Sequence, residues 1–150
     1  LIDSRYGLMN YRGLGACTPN ESEVEQMLGV TIDDDLGVLE RAGRTLLRRT
    51  RMGCVLITRG SRGMALFESR RRTVHIPIFG SDQVSDVTGA GDTVIATLAL
   101  SLAAGASFLE GAQLANYTGG LVVMKRGTAT VTFDELRQAV VSDHGVPLEG

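Results

Sequence analysis

Thiols and imidazoles are scarce in this chain of 150 residues, which holds only Cys17, Cys54, His75 and His144. The cysteines are widely spaced and flanked by apolar or turn residues, so they read as reduced thiols rather than a disulfide or metal framework. Neither histidine has a cysteine or carboxylate at ligand spacing, which argues against a zinc site. An excess of one charge is also lacking. The 15 basic and 17 acidic side chains leave a net charge of −2, against the basic excess of a nucleic-acid surface. The local clusters Arg48-Arg-Thr-Arg51 and Arg70-Arg-Arg72 read as solvated faces at element ends, with steering of phosphorylated ligands as the alternative. The apolar run from Val94 to Ala106 is shorter than a membrane span and is broken by Ser101 and Gly105. No signal peptide, repeat, linker or low-complexity tract is visible. The cytoplasm is the expected compartment, and the missing initiator Met is expected of a fragment or a processed chain.

A hydrophobic content of 43% is enough for one globular core. Leu1-Ile-Asp3 reads as the end of a strand, and Gly13 to Pro19 carries a second short one. Glu21 to Leu28 reads as a helix stopped by Gly29. Asp33 to Arg51 reads as a longer amphipathic helix, with Leu36, Leu39, Leu46 and Leu47 inward and the arginines mostly outward. The run Cys54-Val-Leu-Ile-Thr58 fits a strand buried on both faces of a parallel sheet. Two more strands are expected at Gly63–Phe67 and Thr73–Ile78, joined by the charged Glu68–Arg72 turn. Helices follow at about 91–104, 108–124 and 133–142, the last opened by Thr132 and Glu135 as a capping box. Strands alternating with helices argue for an α/β layer fold.

The most informative segment is Asp86-Val-Thr-Gly-Ala-Gly-Asp92, followed by the apolar stretch Thr93 to Ala104. That stretch is too long for an ordinary strand and is rich in Ala and Leu, so it reads as a buried helix. Asp92 then stands in the first helical turn. Backbone N–H groups there have no intrahelical partner and the helix dipole adds positive potential, which suits an anion. Gly89 and Gly91 let the backbone approach a phosphate closely. A carboxylate beside a bound phosphate can take the proton of an attacking hydroxyl. A plain turn followed by an acidic first turn fits the same residues. The segment is neither a Walker A loop nor a dinucleotide fingerprint.

Three further segments stand in a telling order: Thr18-Pro-Asn-Glu-Ser-Glu23, Thr58-Arg-Gly-Ser-Arg-Gly63, and Ala115-Asn116 with Lys125-Arg-Gly-Thr128. With Asp86–Ala96 they resemble the motifs of the ribokinase-like, or PfkB, sugar kinases, and they cover nearly the whole chain. Within that family the chain looks most like the heptose-7-phosphate kinase domain of ADP-heptose synthesis. The resemblance implies a ribokinase-like three-layer α/β/α fold with a mostly parallel sheet. Residues 1–150 would be its C-terminal nucleotide-binding part, without the N-terminal half that supplies most sugar contacts and the lid. Thr97 stands where Ala or Gly is more usual, which questions packing. Tyr117-Thr118 replaces small residues after Asn116, which implies a reshaped nucleotide pocket.

The resemblance also implies roles. Asp92 would be the general base, and the amides of Gly89, Ala90 and Gly91 the anion hole for the γ-phosphoryl group. Asn20 and Glu23 would hold the nucleotide phosphates and, through water, Mg²⁺. A capping box explains their spacing as well, and the two roles are compatible. Thr58, Gly60 and Gly63 would line the nucleotide at a strand's carboxyl end, with a plain hairpin turn as the alternative. Asn116, Lys125 and Gly127 would lie on the adenine side. Asp86 and Thr88 resemble positions that bind a monovalent cation such as K⁺ in some relatives, though Asp86 could equally cap a turn. The implied activity is ATP-dependent phosphorylation of a sugar or sugar phosphate. A heptose 7-phosphate is the favoured acceptor, and fructose or another small sugar the alternative. The competing class is a nucleotide-binding module without turnover. No nucleic-acid or membrane partner is expected, and exposed sheet edges and apolar surface make a homo-oligomer plausible.

Overall fold

Cys54–Thr58 forms the central strand of a mixed sheet, and its residues Cys54, Val55, Leu56 and Ile57 are all at 0% exposure. The computed structural model describes residues 1–3, 7–80, 89–125 and 129–144, in two units, Leu1–Pro77 and Ile78–Gly150. In the first unit the strands β1 (Ala16–Cys17), β2 (Cys54–Thr58), β3 (Met64–Glu68) and β4 (Val74–Ile76) lie in that order. Ile2 adds a parallel bridge beside Cys17, the strand end expected at Leu1–Asp3.

β1 and β2 run parallel, whereas β2–β3 and β3–β4 are antiparallel. The both-sided burial expected of β2 holds, but only one of its neighbours is parallel. Connection length is the reason. A parallel return needs a crossover of a dozen or more residues, and the link Arg59–Gly63 is far too short for one. Between β1 and β2 the chain has room for two helices, α1 (Glu21–Leu28) and α2 (Leu36–Thr50).

α1 has the expected bounds, closed by Gly29 in the left-handed region at φ 65°. α2 begins later than Asp33, because Asp35 is the residue whose carboxylate accepts from the N–H groups of Gly37 (2.7 Å) and Val38 (3.0 Å). Leu39, Leu46 and Leu47 face the core as expected, but Leu36, on the first turn, is 52% exposed. Gly43 lies against Phe67, which is fully buried. Phe67 belongs to one buried core cluster with Val24, Ile32, Leu39, Leu46, Val55 and Ile57. Arg44 ties the same helix to the β3–β4 turn. It bonds Glu40 (2.9 Å), the carbonyls of Glu68 (2.8 Å) and Arg71 (2.7 Å), and the Thr73 hydroxyl (2.8 Å). The side chains of Arg48, Arg49 and Arg51, and of Arg70 to Arg72, are exposed, as solvated faces should be. Cys17 and Cys54 are free and buried, and burial pushes the Cys17 thiol up to about 12 and that of Cys54 higher still.

The second unit holds α3 (Ala90–Ala103), α4 (Phe108–Val123) and α5 (Phe133–His144). Capping boxes open α4 at Ser107/Glu110 and α5 at Thr132/Glu135. The run beginning at Thr93 is helical but not buried all round. Val94, Leu98 and Ser101 are buried, while Leu100 is 72% exposed. Within its own unit α3 packs on α4, where a Cβ on Gly111 would come within 2.9 Å of Leu98 Cδ1. No helix among the described residues is long and apolar enough to cross a membrane.

Candidate functional site

β1 and β2 end on the same edge because they are parallel, and the residues that follow β1 are joined there to the end of β2. Thr58 N–H donates to the Pro19 carbonyl (3.0 Å), and Asn20 forms a parallel bridge with Thr58. Open α/β sheets receive their ligands at this edge. Asn20 caps α1: its Oδ1 accepts from Glu23 N–H (2.8 Å), and Glu23 Oε2 accepts from Asn20 N–H (3.0 Å). Both residues expected at the nucleotide are thus committed to a capping box, which leaves one Glu23 oxygen outside it. No cluster of three or more His, Cys, Asp or Glu side chains able to hold a metal occurs among the described residues.

Beyond Thr58 the chain turns tightly. Arg59 N–H donates to the Gly63 carbonyl (2.8 Å) and Gly63 N–H to the Gly60 carbonyl (3.1 Å). Gly60 and Gly63 have φ of 58° and 77°, where a side chain is disfavoured. The hairpin alternative for this motif is therefore real in geometry, since the turn joins antiparallel β2 and β3 with Thr58 opposite Met64.

Sequence reasoning missed the charges that hold this edge. Glu21, 8% exposed, places Oε2 2.6 Å from Arg59 Nε and Oε1 2.6 Å from Arg62 Nη2. Arg62 Nη1 also reaches Asp34 Oδ1 (2.7 Å) and the Asp33 carbonyl (2.8 Å). These carboxylates hold the Arg62 guanidinium above its ordinary pKa, the bond to Asp34 being the largest cause. Nearby Thr18 Oγ1 is buried with no hydrogen-bond partner among the described residues.

In the second unit Gly89 is the N-cap of α3, at φ 81°. The carbonyl of Gly89 accepts from both Thr93 N–H (3.0 Å) and Thr93 Oγ1 (2.9 Å), fixing the first turn. Ala90, Gly91 and Asp92 form that turn, and Asp92 is exposed. The geometry is that of a glycine-led helix start with a carboxylate at its mouth. Asp86, Thr88 and Gly127 lie outside the described residues.

Asn116 is buried in α4. The departures noted beside it have structural uses. Tyr117 packs against Phe79 with the rings tilted by 58° and centroids 4.6 Å apart, and it donates to Asp143 Oδ2 (2.6 Å), so burial and this bond push its phenol up to about 12. Thr118 meets Thr97, Oγ1 to Oγ1 at 2.9 Å. Lys125 is occupied too: its Nζ donates to the Thr130 carbonyl (2.7 Å) and pairs with Glu135 (2.6 Å). That bond, with those from Thr132, holds the Glu135 carboxyl down at about 2.

The pfkB family carbohydrate kinase profile matches residues 12–135. Bifunctional protein HldE of Coxiella burnetii (strain Dugway 5J108-111) is 46% identical over 140 residues, which are 91% of this chain and 29% of that protein. Bifunctional protein HldE of Geobacter sulfurreducens is 44% identical over 135 residues, 90% of this chain and 27% of that protein. The chain thus spans under a third of the length of these relatives. Among solved structures, Arabidopsis thaliana ribokinase complexed with ribose and ATP aligns with a TM-score of 0.75 at 26% identity, over 84% of this chain and 40% of that one. Escherichia coli phosphofructokinase-2 in complex with potassium aligns at 0.78 and 17% identity, over 89% and 42%, a likeness of fold.

Proposed function

The chain belongs to the pfkB family of carbohydrate kinases, and we propose that it is the nucleotide-binding part of an ATP-dependent kinase that phosphorylates a heptose 7-phosphate. One observation carries the catalytic part of this reading: the glycine-capped start of α3 with exposed Asp92 in its first turn. In this proposal the amides of Gly89, Ala90 and Gly91 receive the charge developing on the transferred γ-phosphoryl group. Asp92 accepts the proton of the sugar hydroxyl as its oxygen attacks phosphorus and the bond to the ADP oxygen breaks. Asn20, Thr58, Gly60 and Gly63 serve the phosphates, and Asn116, Lys125 and Gly127 the adenine side. Mg²⁺, held by Glu23 through water, would neutralise phosphate charge. Asp86 and Thr88 are the proposed holders of a K⁺ ion. The heptose 7-phosphate rests on likeness to relatives at 44–46% identity.

The test is Asp92→Asn in the protein that carries this chain. Turnover should fall by on the order of 10²–10⁴, with ATP affinity within several-fold. Unchanged turnover would remove Asp92 from the role of base. The 150-residue chain assayed alone is expected to bind nucleotide and to phosphorylate sugar weakly or not at all. Brisk phosphorylation of a free sugar by this chain would contradict that.

A further inference from the structure

The buried carboxylate of Glu21 lies within the Thr18–Glu23 segment but has no role there in the nucleotide reading, and it sits where the proposed nucleotide-facing segments of the first unit meet. It lies in the first turn of α1, between capping residues Asn20 and Glu23, and reaches the turn after β2 at two points, Arg59 and Arg62, each at 2.6 Å. Arg59 is itself buried, with its side chain 6% exposed. Glu21, Asp34, Arg59 and Arg62 together sum to zero formal charge, so the cluster is internally neutral and has no net field to offer an anion. Its geometry is that of a clamp. Glu21 reaches both sides of the turn Gly60–Arg62, whose own backbone carries local bonds from Arg62 to Arg59 (3.1 Å), Gly63 to Gly60 (3.1 Å) and Arg59 to Gly63 (2.8 Å), while the Asp33 carbonyl accepts from the same two arginines.

We propose that Glu21 is a positioning residue, which through Arg59 and Arg62 holds the Thr58–Gly63 turn against the N-terminus of α1 so that the two segments present one preformed phosphate-facing edge. This role rests on the nucleotide reading given above. Asn20 and Thr58 are joined at the backbone by the bridge between them, so that end of the edge is fixed without Glu21. The far end, at Gly60 to Gly63, has two glycines at positive φ (58° and 77°) and is tied to α1 through Glu21. Ordering it before a ligand arrives removes a cost from binding. Gln in place of Glu21 keeps the volume but sets an amide N–H₂ against one guanidinium, so one of the two ties is lost.

The experiment compares wild type, E21Q and R62Q as the 150-residue chain, titrated calorimetrically with the ATP analogue AMP-PNP in Mg²⁺ and, separately, with adenosine. Circular dichroism checks that the folded fractions are equal. Because the clamped edge faces phosphates, E21Q should weaken AMP-PNP about tenfold or more while leaving adenosine within about twofold. R62Q removes the more exposed tie and should weaken AMP-PNP by about two- to fivefold, again sparing adenosine. Equal losses for both ligands, as a merely structural role would give, overturn the proposal, and so does an unchanged AMP-PNP affinity. Should E21Q fail to fold, R62Q carries the same comparison with the same refuting outcomes. A wild-type chain that binds neither ligand overturns the nucleotide reading, and the clamp's role falls with it. Normal wild-type binding beside a ligand-blind loss in E21Q overturns the clamp alone.

Discussion

Gly43→Ala sets two effects of opposite sign against each other inside α2. A mid-helix glycine costs roughly 1 kcal/mol relative to alanine, so propensity alone predicts that the substitution stabilises by about that amount. Packing opposes it. A Cβ at residue 43 would lie 2.3 Å from Phe67 Cζ, 2.4 Å from Cε2 and 2.5 Å from Cε1. The ring cannot simply step aside, because Phe67 is at 0% exposure on β3 and the Arg44 guanidinium stands 5.6 Å from its centroid. Arg44 in turn is held by Glu40, Glu68, Arg71 and Thr73. Forcing a methyl into such a contact costs about 1–3 kcal/mol as overpacking, and the rigid surroundings place this site at the upper end. We expect a net destabilisation of about 1–2 kcal/mol once the propensity gain is subtracted. Urea unfolding followed by circular dichroism reads it as a lower midpoint at unchanged slope. Phe67→Leu makes room for the methyl, so the double variant should be more stable than the two single losses added together. A Gly43→Ala chain more stable than wild type, or strict additivity in the double variant, would refute the reasoning.

Thr97→Val removes one hydroxyl of the pair between α3 and α4. Thr118 Oγ1 still donates to the Ala115 carbonyl at 3.1 Å, so no buried donor is orphaned and the loss should stay near 1 kcal/mol by thermal or urea unfolding; a loss of about 3 kcal/mol or more would show that the pair holds the helices in some further way. The Tyr117 phenol is raised from 10.0 to about 12 by burial and by its bond to Asp143. A group of this kind favours its neutral form in the fold, so its stabilisation is complete below pH 10 and drains away as pH climbs from 10 to about 12. Tyr117→Phe should flatten that alkaline decline, measured as the unfolding midpoint against pH, and an identical profile would remove Tyr117 as its source.

Sequence alone resolved whatever its own neighbours decide. The bounds of α1 are legible because Asn20, Glu23 and Gly29 all act within the helix they bound, and β2 is legible because it is apolar from Cys54 to Ile57. The start of α2 is ambiguous in sequence because Asp33, Asp34 and Asp35 can each cap a helix, and only the bonds to Gly37 and Val38 choose Asp35. α3 read as buried because its apolar residues run round the whole cylinder. Such a pattern names no face, and only contact with α4 selects Val94, Leu98 and Ser101. Thr97 and Thr118, unusual residues at separate positions of the sequence, are each other's partner in the fold.

The candidate site divides along the same line. Its recognisable motifs are caps and turns, whose chemistry closes within a few residues and so leaves a spacing signature. What holds them in register does not. Glu21 and Arg59 stand 38 residues apart, and each has an ordinary explanation alone, one as an acid in a first helical turn and the other as a loop arginine. Only the parallel return of β2 beside β1, which sets Thr58 next to Asn20, makes them neighbours. Substitutions at Asn20 or Thr58 should therefore act on a ligand directly, whereas those at Glu21 should act through the shape of the turn. A motif transplanted without its distant carboxylate would keep its spacing and lose its preformed edge.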